Sequence, residues 1–148
     1  KSKNRDLTSN LDFAQTFLNI AGVKSPADMQ GTSLVPLFKG HTPKDWRTHF
    51  YYHYYEFPGA HSVARHYGVT NGRHKLIHFY QNNEWELFDL KKDPNELQSV
   101  YGNSDYKTIQ SDLLAELKRL RIHYKVPEED PVPPKRKRPN QPNRPKKK

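Results

Sequence analysis

The residues best suited to chemistry in this sequence lie in the stretch EFPGAHSVARH, from Glu56 to His66. Pro58-Gly59 predicts a tight loop between two strands, so Glu56, His61 and Arg65 are expected to converge at one end of a sheet. An exposed arginine with histidine neighbours suits the anionic oxygens of sulfate, phosphate or carboxylate. The structural alternative is an ion pair between Arg65 and Glu56 that holds the loop, and residue types alone favour that alternative.

Eight histidines raise the question of a metal site. His61 and His66 are five residues apart, and His74 and His78 are four apart on one predicted strand. Neither pair has a carboxylate at a familiar ligand spacing such as H-E-x-x-H. The sequence has no cysteine, which excludes a thiolate zinc site, a disulfide and a cysteine nucleophile. We therefore expect hydrogen-bonding histidines and no metal site formed by this chain alone.

Positive charge is concentrated at one end of the chain. The formal net charge is +9, but KRKRPNQPNRPKKK, from Lys135 to Lys148, holds eight basic residues and no acid. Without them, 17 basic residues face 16 acidic ones. From Pro127 onward the prolines and charges predict an extended, disordered tail. Nucleic acid is thus expected to bind only non-specifically, through the tail, although the aromatic run 50–55 could also stack on bases or sugar rings.

Strand patterns dominate the middle of the chain. Three runs rich in β-branched and aromatic residues lie between His61 and Leu90, and the run 49–56 supplies a fourth strand. Asn71-Gly72 predicts a two-residue type I′ hairpin turn, in which both central residues need positive φ. We predict an antiparallel four-stranded meander.

Helices are predicted on both sides of this sheet. Asp12, with Gln15 three residues on, predicts an N-cap for a helix that carries a wide apolar stripe and ends at Gly22. A short helix is predicted from Ser33 to Gly40, and a long one from near Ser104, with apolar residues three and four apart. The fold class is α+β, with the sheet packed against helices on one face. Its other face is expected to be apolar and partly exposed, ready to pack on another domain. No apolar run approaches membrane-spanning length.

At the level of the whole sequence, the chain resembles the C-terminal part of sulfatases. SNLDFAQTFLNIAGVKSPADMQGTSLVPLFKG is similar to the family's D-x-x-P-T-L-L-x-x-A-G helix followed by Q-G-x-S-L-x-P-L-L-x-G. The segments RHKLI and WELFDLKKDPNEL are similar to its R-Y-K-L-I and E-L-Y-D-L-x-x-D-P-x-E signatures. The match is colinear over about residues 7 to 127. Gln15, His74 and Ser99 depart from the family's usual Pro, Tyr and Asn.

The resemblance implies a sulfuric ester hydrolase acting on sulfated glycans. It implies a formylglycine nucleophile made from Cys or Ser in C/S-x-P-x-R, and a calcium held by Asp and Asn residues. This chain contains no such motif, so the isolated chain is expected to be inactive and to bind no cofactor. The implied partners are a preceding sulfatase catalytic domain and a sulfated sugar, with no membrane, in a periplasmic or extracellular setting.

The implied role of this part is to shape the substrate cleft, with Glu56, His61, Arg65 and His66 as candidate substrate contacts. Residues 1–48 are expected to join the catalytic domain to the C-terminal subdomain, 49–126 to form that subdomain, and 127–148 to form the tail. The alternative is a stand-alone module that binds polyanions or nucleic acid through the basic tail.

Overall fold

A computed structural model describes residues 3–130 and confirms the α+β architecture. The elements, in chain order, are α1 (Leu11–Ile20), α2 (Val35–Phe38), β1 (Phe50–Tyr54), β2 (His66–Thr70), β3 (His74–Phe79), β4 (Glu84–Asp89), a 3-10 turn (Ser104–Tyr106) and α3 (Lys107–His123). The strands form one antiparallel sheet in the order β1-β2-β3-β4, which is the predicted meander. The prediction for 131–148 lies outside the described residues.

The main core lies between the sheet and α3. Val69, Leu76 and Leu87 are register partners across β2, β3 and β4, and none of the three is exposed. They pack against the stripe of α3, whose buried members are Leu113, Leu117 and Leu120. These three residues follow spacings of four and three, so one face of α3 covers the sheet, as the sequence predicts.

The β2–β3 hairpin differs from the prediction by one residue. The N–H of Asn71 donates to the carbonyl of His74 at 3.1 Å, so the central residues of the turn are Gly72 and Arg73. Only Gly72 has a positive φ, 85°. A type I′ turn needs positive φ at both central residues, so the predicted type I′ turn at Asn71-Gly72 is wrong.

Helix α1 presents its polar side to the protein and its apolar side to solvent. Asp12 is not the N-cap. It lies in the first turn, where it is fully buried, and Gln15 and Thr16 beside it are buried too. The apolar stripe is exposed at Leu11, Phe13, Phe17 and Ile20, by 53 to 69%. The helix ends where predicted, at Gly22 with φ 68°.

The outer sheet face is not the exposed apolar surface that the sequence suggested. Ile77 and Phe88, on the face away from α3, are only 5% and 4% exposed. A second small core of Leu34, Leu37 and Trp46 forms beside the sheet, and the Trp46 indole donates to the Leu7 carbonyl at 3.0 Å. The large exposed apolar surface therefore belongs to α1. Among residues 3–130, no helix combines the length and hydropathy needed to cross a bilayer.

Leu113→Ala tests the main core. Because Leu113 is 2% exposed in the centre of the helix–sheet contact, its truncation should lower the free energy of unfolding by about 2–5 kcal/mol. Ile122→Ala, on the same helix but 70% exposed, should cost less than about 0.5 kcal/mol. Urea unfolding of the purified chain measures both. Equal losses would show that α3 does not pack as described.

Candidate functional site

The loop between β1 and β2, residues 55–65, carries the candidate substrate contacts at the edge of the sheet where β1 ends. Glu56 and His61 are exposed on this loop. Arg65 and His66 lie at its return into β2, and adjacent strand residues point to opposite faces of a sheet. The structure therefore places Glu56 and His61 on one exposed loop but does not bring Arg65 and His66 to the same face.

His66 is held within an aromatic cluster on the outer face. Its ring stacks on Tyr54 with centroids 5.2 Å apart and lies 5.0 Å from the ring of Phe79. Its Nδ1 lies 2.9 Å from the Ala64 carbonyl, to which an N–H there can donate. The imidazole is only partly exposed. Because Tyr54, Phe79 and the Ala64 carbonyl hold it, His66 fixes the position of the first residue of β2.

All three guanidinium nitrogens of Arg65 donate hydrogen bonds within the protein. Its Nε and Nη2 both donate to the Phe57 carbonyl, at 3.1 and 2.7 Å, and its Nη1 donates to Asp130 at 2.9 Å. Its backbone N–H donates to the side chain of Gln81 at 3.2 Å. The sequence offered Glu56 as the structural ion-pair partner of Arg65, but the partner in the structure is Asp130. Arg65 thus joins the loop to the end of the described chain.

Asp130 is the residue at this candidate site that sequence reasoning missed, because it lies within the predicted tail. Residues 124–130 return from the end of α3, and the Asp130 carboxylate accepts a 2.7 Å hydrogen bond from the Tyr80 hydroxyl. His53 Nε2 lies 3.8 Å from the same carboxylate. The acidic run Glu128 to Asp130 stands out in an otherwise basic C-terminus and was the available signal.

Burial sets the ionisation of this cluster. Burial raises the pKa of Tyr80, and its hydrogen bond to Asp130 raises it further, so the phenol stays protonated. Burial lowers the pKa of His53 to about 4, although Asp130 opposes that shift. A neutral His53 is left between the hydroxyls of Tyr51, at 3.0 Å, and Tyr80, at 3.3 Å.

The strand histidines have structural partners. His78 makes hydrogen bonds with the Tyr67 hydroxyl, at 2.8 Å, and with Asn83, at 3.3 Å. His74 is buried, with Nε2 3.7 Å from Asp89. Within residues 3–130, no three His, Cys, Asp or Glu side chains are grouped so as to hold a metal ion. The described residues therefore do not fit the calcium site that the resemblance implies.

Comparison with protein families identifies one match. The sequence model of the family described as "N-sulphoglucosamine sulphohydrolase, C-terminal" matches residues 1–123. An N-acetylglucosamine-6-O-sulfatase of Bacteroides thetaiotaomicron is 48% identical over 122 residues, which are 80% of this chain and 22% of that protein. A Delta 4,5-hexuronate-2-O-sulfatase of the same organism is 32% identical, over 77% of this chain and 23% of that protein.

A solved structure shares the fold. It is described as a complex with its substrate D-glucosamine-2-N,6-O-disulfate and superposes with a TM-score of 0.76 at 47% identity. The match covers 79% of this chain and 24% of that one. The chain therefore spans about a quarter of the length of these three relatives.

The ionisation of His53 predicts a pH effect. The pKa of His53 is lowered from 6.5 to about 4, so folding favours the neutral imidazole. The free energy of unfolding that the neutral His53 contributes is complete above pH 6.5 and is lost as the pH falls toward 4. NMR titration of the imidazole should give the low value. His53→Gln should flatten the dependence of stability on pH between 6.5 and 4, whereas His41→Gln, at an exposed position, should not. A His53 that titrates near 6.5 would contradict the burial described.

Proposed function

Because the chain belongs to the N-sulphoglucosamine sulphohydrolase C-terminal family, we propose that it is the C-terminal domain of an enzyme that hydrolyses sulfate esters of glycosaminoglycan sugars. Support for the substrate class comes from the names of two relatives. One is an N-acetylglucosamine-6-O-sulfatase, and the other is a structure in complex with its substrate D-glucosamine-2-N,6-O-disulfate. The alternative of a stand-alone polyanion-binding module is not favoured, because the family match accounts for residues 1–123 without the basic run.

The chemical step is assigned to a preceding catalytic domain. This chain contains no cysteine and no Ser-x-Pro-x-Arg string, so it offers no formylglycine precursor. Formylglycine and calcium, if the whole protein follows its family, would supply the nucleophile and neutralise the sulfate oxygens within that other domain. A periplasmic or extracellular location, where sulfated polymers are met, completes the proposal.

The exposed apolar face of α1 is the observation that supports a contact between this chain and the catalytic domain. Four large apolar side chains face solvent on a helix whose Asp12, Gln15 and Thr16 are buried. Such a surface is typical of an interface with another domain. We assign it to the catalytic domain, which is consistent with residues 1–48 as the joining segment and 49–126 as the subdomain.

Phe17→Glu tests the proposed contact with the catalytic domain. In the whole protein, Phe17 would be buried against that domain, and the substitution should destabilise the protein by about 2 kcal/mol or more. Thermal unfolding and sulfatase activity measure the effect. In the chain expressed alone, Phe17 is 69% exposed and the same substitution should be nearly neutral.

Leu97→Glu is the matched control, because Leu97 is 83% exposed on a loop after β4. It should be nearly neutral in both contexts. If Phe17→Glu behaves like Leu97→Glu in the whole protein, α1 does not face the catalytic domain.

The loop 55–65 is proposed to form one wall of the substrate cleft. Glu56 and His61 are exposed at its surface and would contact sugar hydroxyls. Arg65, through the Phe57 carbonyl and Asp130, would hold the loop in shape, and His66 would fix its return into β2. This division of roles follows from which side chains are already engaged within the chain.

His61→Ala tests the substrate contact in the whole enzyme. Loss of one neutral hydrogen bond should lower kcat/KM for a sulfated disaccharide about 2- to 10-fold. Activity on a small aryl sulfate, which does not reach the loop, should not change. His41→Ala, at another exposed histidine, should affect neither substrate. Equal losses on both substrates would contradict a role for His61 in sugar recognition.

A further inference from the structure

A groove separate from the 55–65 loop lies between the helix-facing side of the sheet and the C-terminal half of α3. Its volume is about 400 Å³. The sheet contributes Tyr67 and Trp85, and α3 contributes Leu114, Leu117 and Ile122. No residue from Glu56 to His66 lines it. The groove has apolar walls and is large enough for a small ligand.

Positive charge lines this groove. Lys118 and Arg121 project from α3 and Lys125 from the segment just after it, while Glu128 is the one acidic residue among the lining side chains. Within residues 3–130, none of the three cations forms an ion pair. By contrast, Arg119 on the same helix is paired with Glu116 at 2.7 Å and lines a different cleft. The groove thus concentrates cations whose charge the described chain does not neutralise.

Arg121 is fixed in place but incompletely satisfied. Its guanidinium carbon lies 4.1 Å from the centre of the Tyr67 ring, a cation–π contact that orients the side chain. Its Nη1 is buried and has no hydrogen-bond partner among residues 3–130. A buried N–H group without an acceptor costs free energy, and that cost would be recovered when an acceptor binds. The cation–π contact therefore holds the positive charge of Arg121 at the wall of the groove, and Nη1 has no hydrogen-bond partner in the described part of the chain.

The chemistry of the groove favours an anion bound by charge rather than a base bound by stacking. Trp85 already stacks on His78, with centroids 3.8 Å apart, and on Tyr101 at 5.9 Å. Tyr67 stacks on Tyr80 at 5.4 Å and carries Arg121 over its ring. These rings are engaged within the protein, so the groups that a ligand meets are the cations and the apolar walls. Guanidinium and ammonium groups suit sulfate and carboxylate oxygens.

We propose that the groove lined by Lys118, Arg121 and Lys125 is a second saccharide-binding site, which takes a sulfated sugar unit away from the 55–65 loop. Sulfate groups would pair with the positive charges of Arg121 and the lysines, while ring carbons lie against Leu114 and Ile122. The choice of a sulfated saccharide as occupant rests on the proposed function, whereas the anion site rests on the groove alone. Such a site would hold a polymer at a distance from its point of cleavage.

Fluorine NMR of the whole protein labelled with 5-fluorotryptophan tests the site. Trp85 lines the groove, and Trp46, which does not, is the internal reference; Trp85→Phe and Trp46→Phe variants assign the two signals. A sulfated heparin tetrasaccharide should shift the Trp85 signal at lower concentration than the unsulfated hyaluronan tetrasaccharide does. The Trp46 signal should stay in place. A silent Trp85, or an equal effect of the two saccharides, would overturn the proposal.

Two charge variants on the same helix make the test specific. Arg121→Gln should raise the tetrasaccharide concentration needed for half the Trp85 shift on the order of tenfold, because a charged hydrogen bond is lost. Arg119→Gln removes the same charge from the other cleft and should change that concentration less than about twofold. Equal effects of the two variants would overturn the proposal, as would a tetraglutamate peptide that shifts Trp85 at the same concentration as heparin.

A second variant covers the case in which Arg121→Gln disturbs folding. Lys118 and Lys125 are exposed, so Lys118→Gln/Lys125→Gln leaves the Arg121–Tyr67 contact intact and should also weaken binding about tenfold. Unchanged binding would refute the site. Binding is measured without turnover. A protein that binds at Trp85 but hydrolyses no sulfate ester would contradict the proposed function alone, and an active enzyme with a silent Trp85 would contradict this inference alone.

Discussion

The ion pair between Asp12 and Arg47 fixes the arrangement of the N-terminal third of the chain. The Asp12 carboxylate is fully buried. It accepts hydrogen bonds from both Nη atoms of Arg47, at 2.5 and 2.6 Å, and from the backbone N–H groups of Ser9 and Thr32. A buried carboxylate is tolerated only when its oxygens are satisfied in this way. Burial opposes ionisation, but the hydrogen bonds outweigh it and keep the pKa of Asp12 below its usual value. One side chain thereby holds α1, the residues before α2 and the approach to β1 in a single arrangement.

This arrangement explains why α1 faces outward with its apolar side. Since Asp12 must point inward to meet Arg47, and Thr16 lies one turn later on the same face, the polar side of the helix is buried. The Thr16 hydroxyl donates to the Asp12 carbonyl and accepts from the Leu34 N–H at 2.9 Å, which extends the polar contact along the helix. Phe13 and Phe17 are then left on the opposite side. An apolar face kept outward by a buried ion pair suits the contact with a catalytic domain that we propose for α1.

The C-terminal end of the described residues, 124–130, closes the sheet in a similar way. The segment after α3 returns across the end of the sheet, and Asp130 meets Arg65 and Tyr80 there. The same return lines the cationic groove with Lys125 on one side and places Asp130 against the 55–65 loop on the other. The shape of the loop and the composition of the groove therefore depend on one short connection. The ion pair of Asp12 with Arg47 holds the N-terminal segment, and the ion pair of Asp130 with Arg65 holds the 55–65 loop. Neither segment belongs to the main core under α3.

The sequence alone determined the four strands, the long helix and the family, because each depends on local periodicity and on signatures that follow one another along the chain. It also located the loop that holds Glu56, His61 and Arg65. Tertiary structure decided the rest. Periodicity shows that α1 has an apolar and a polar face, but only Arg47, 35 residues away, determines which face is buried. Likewise, Arg65 finds its partner 65 residues later, in Asp130, and not in nearby Glu56. Contacts across such separations are set by the folded path of the backbone, which local residue patterns do not specify.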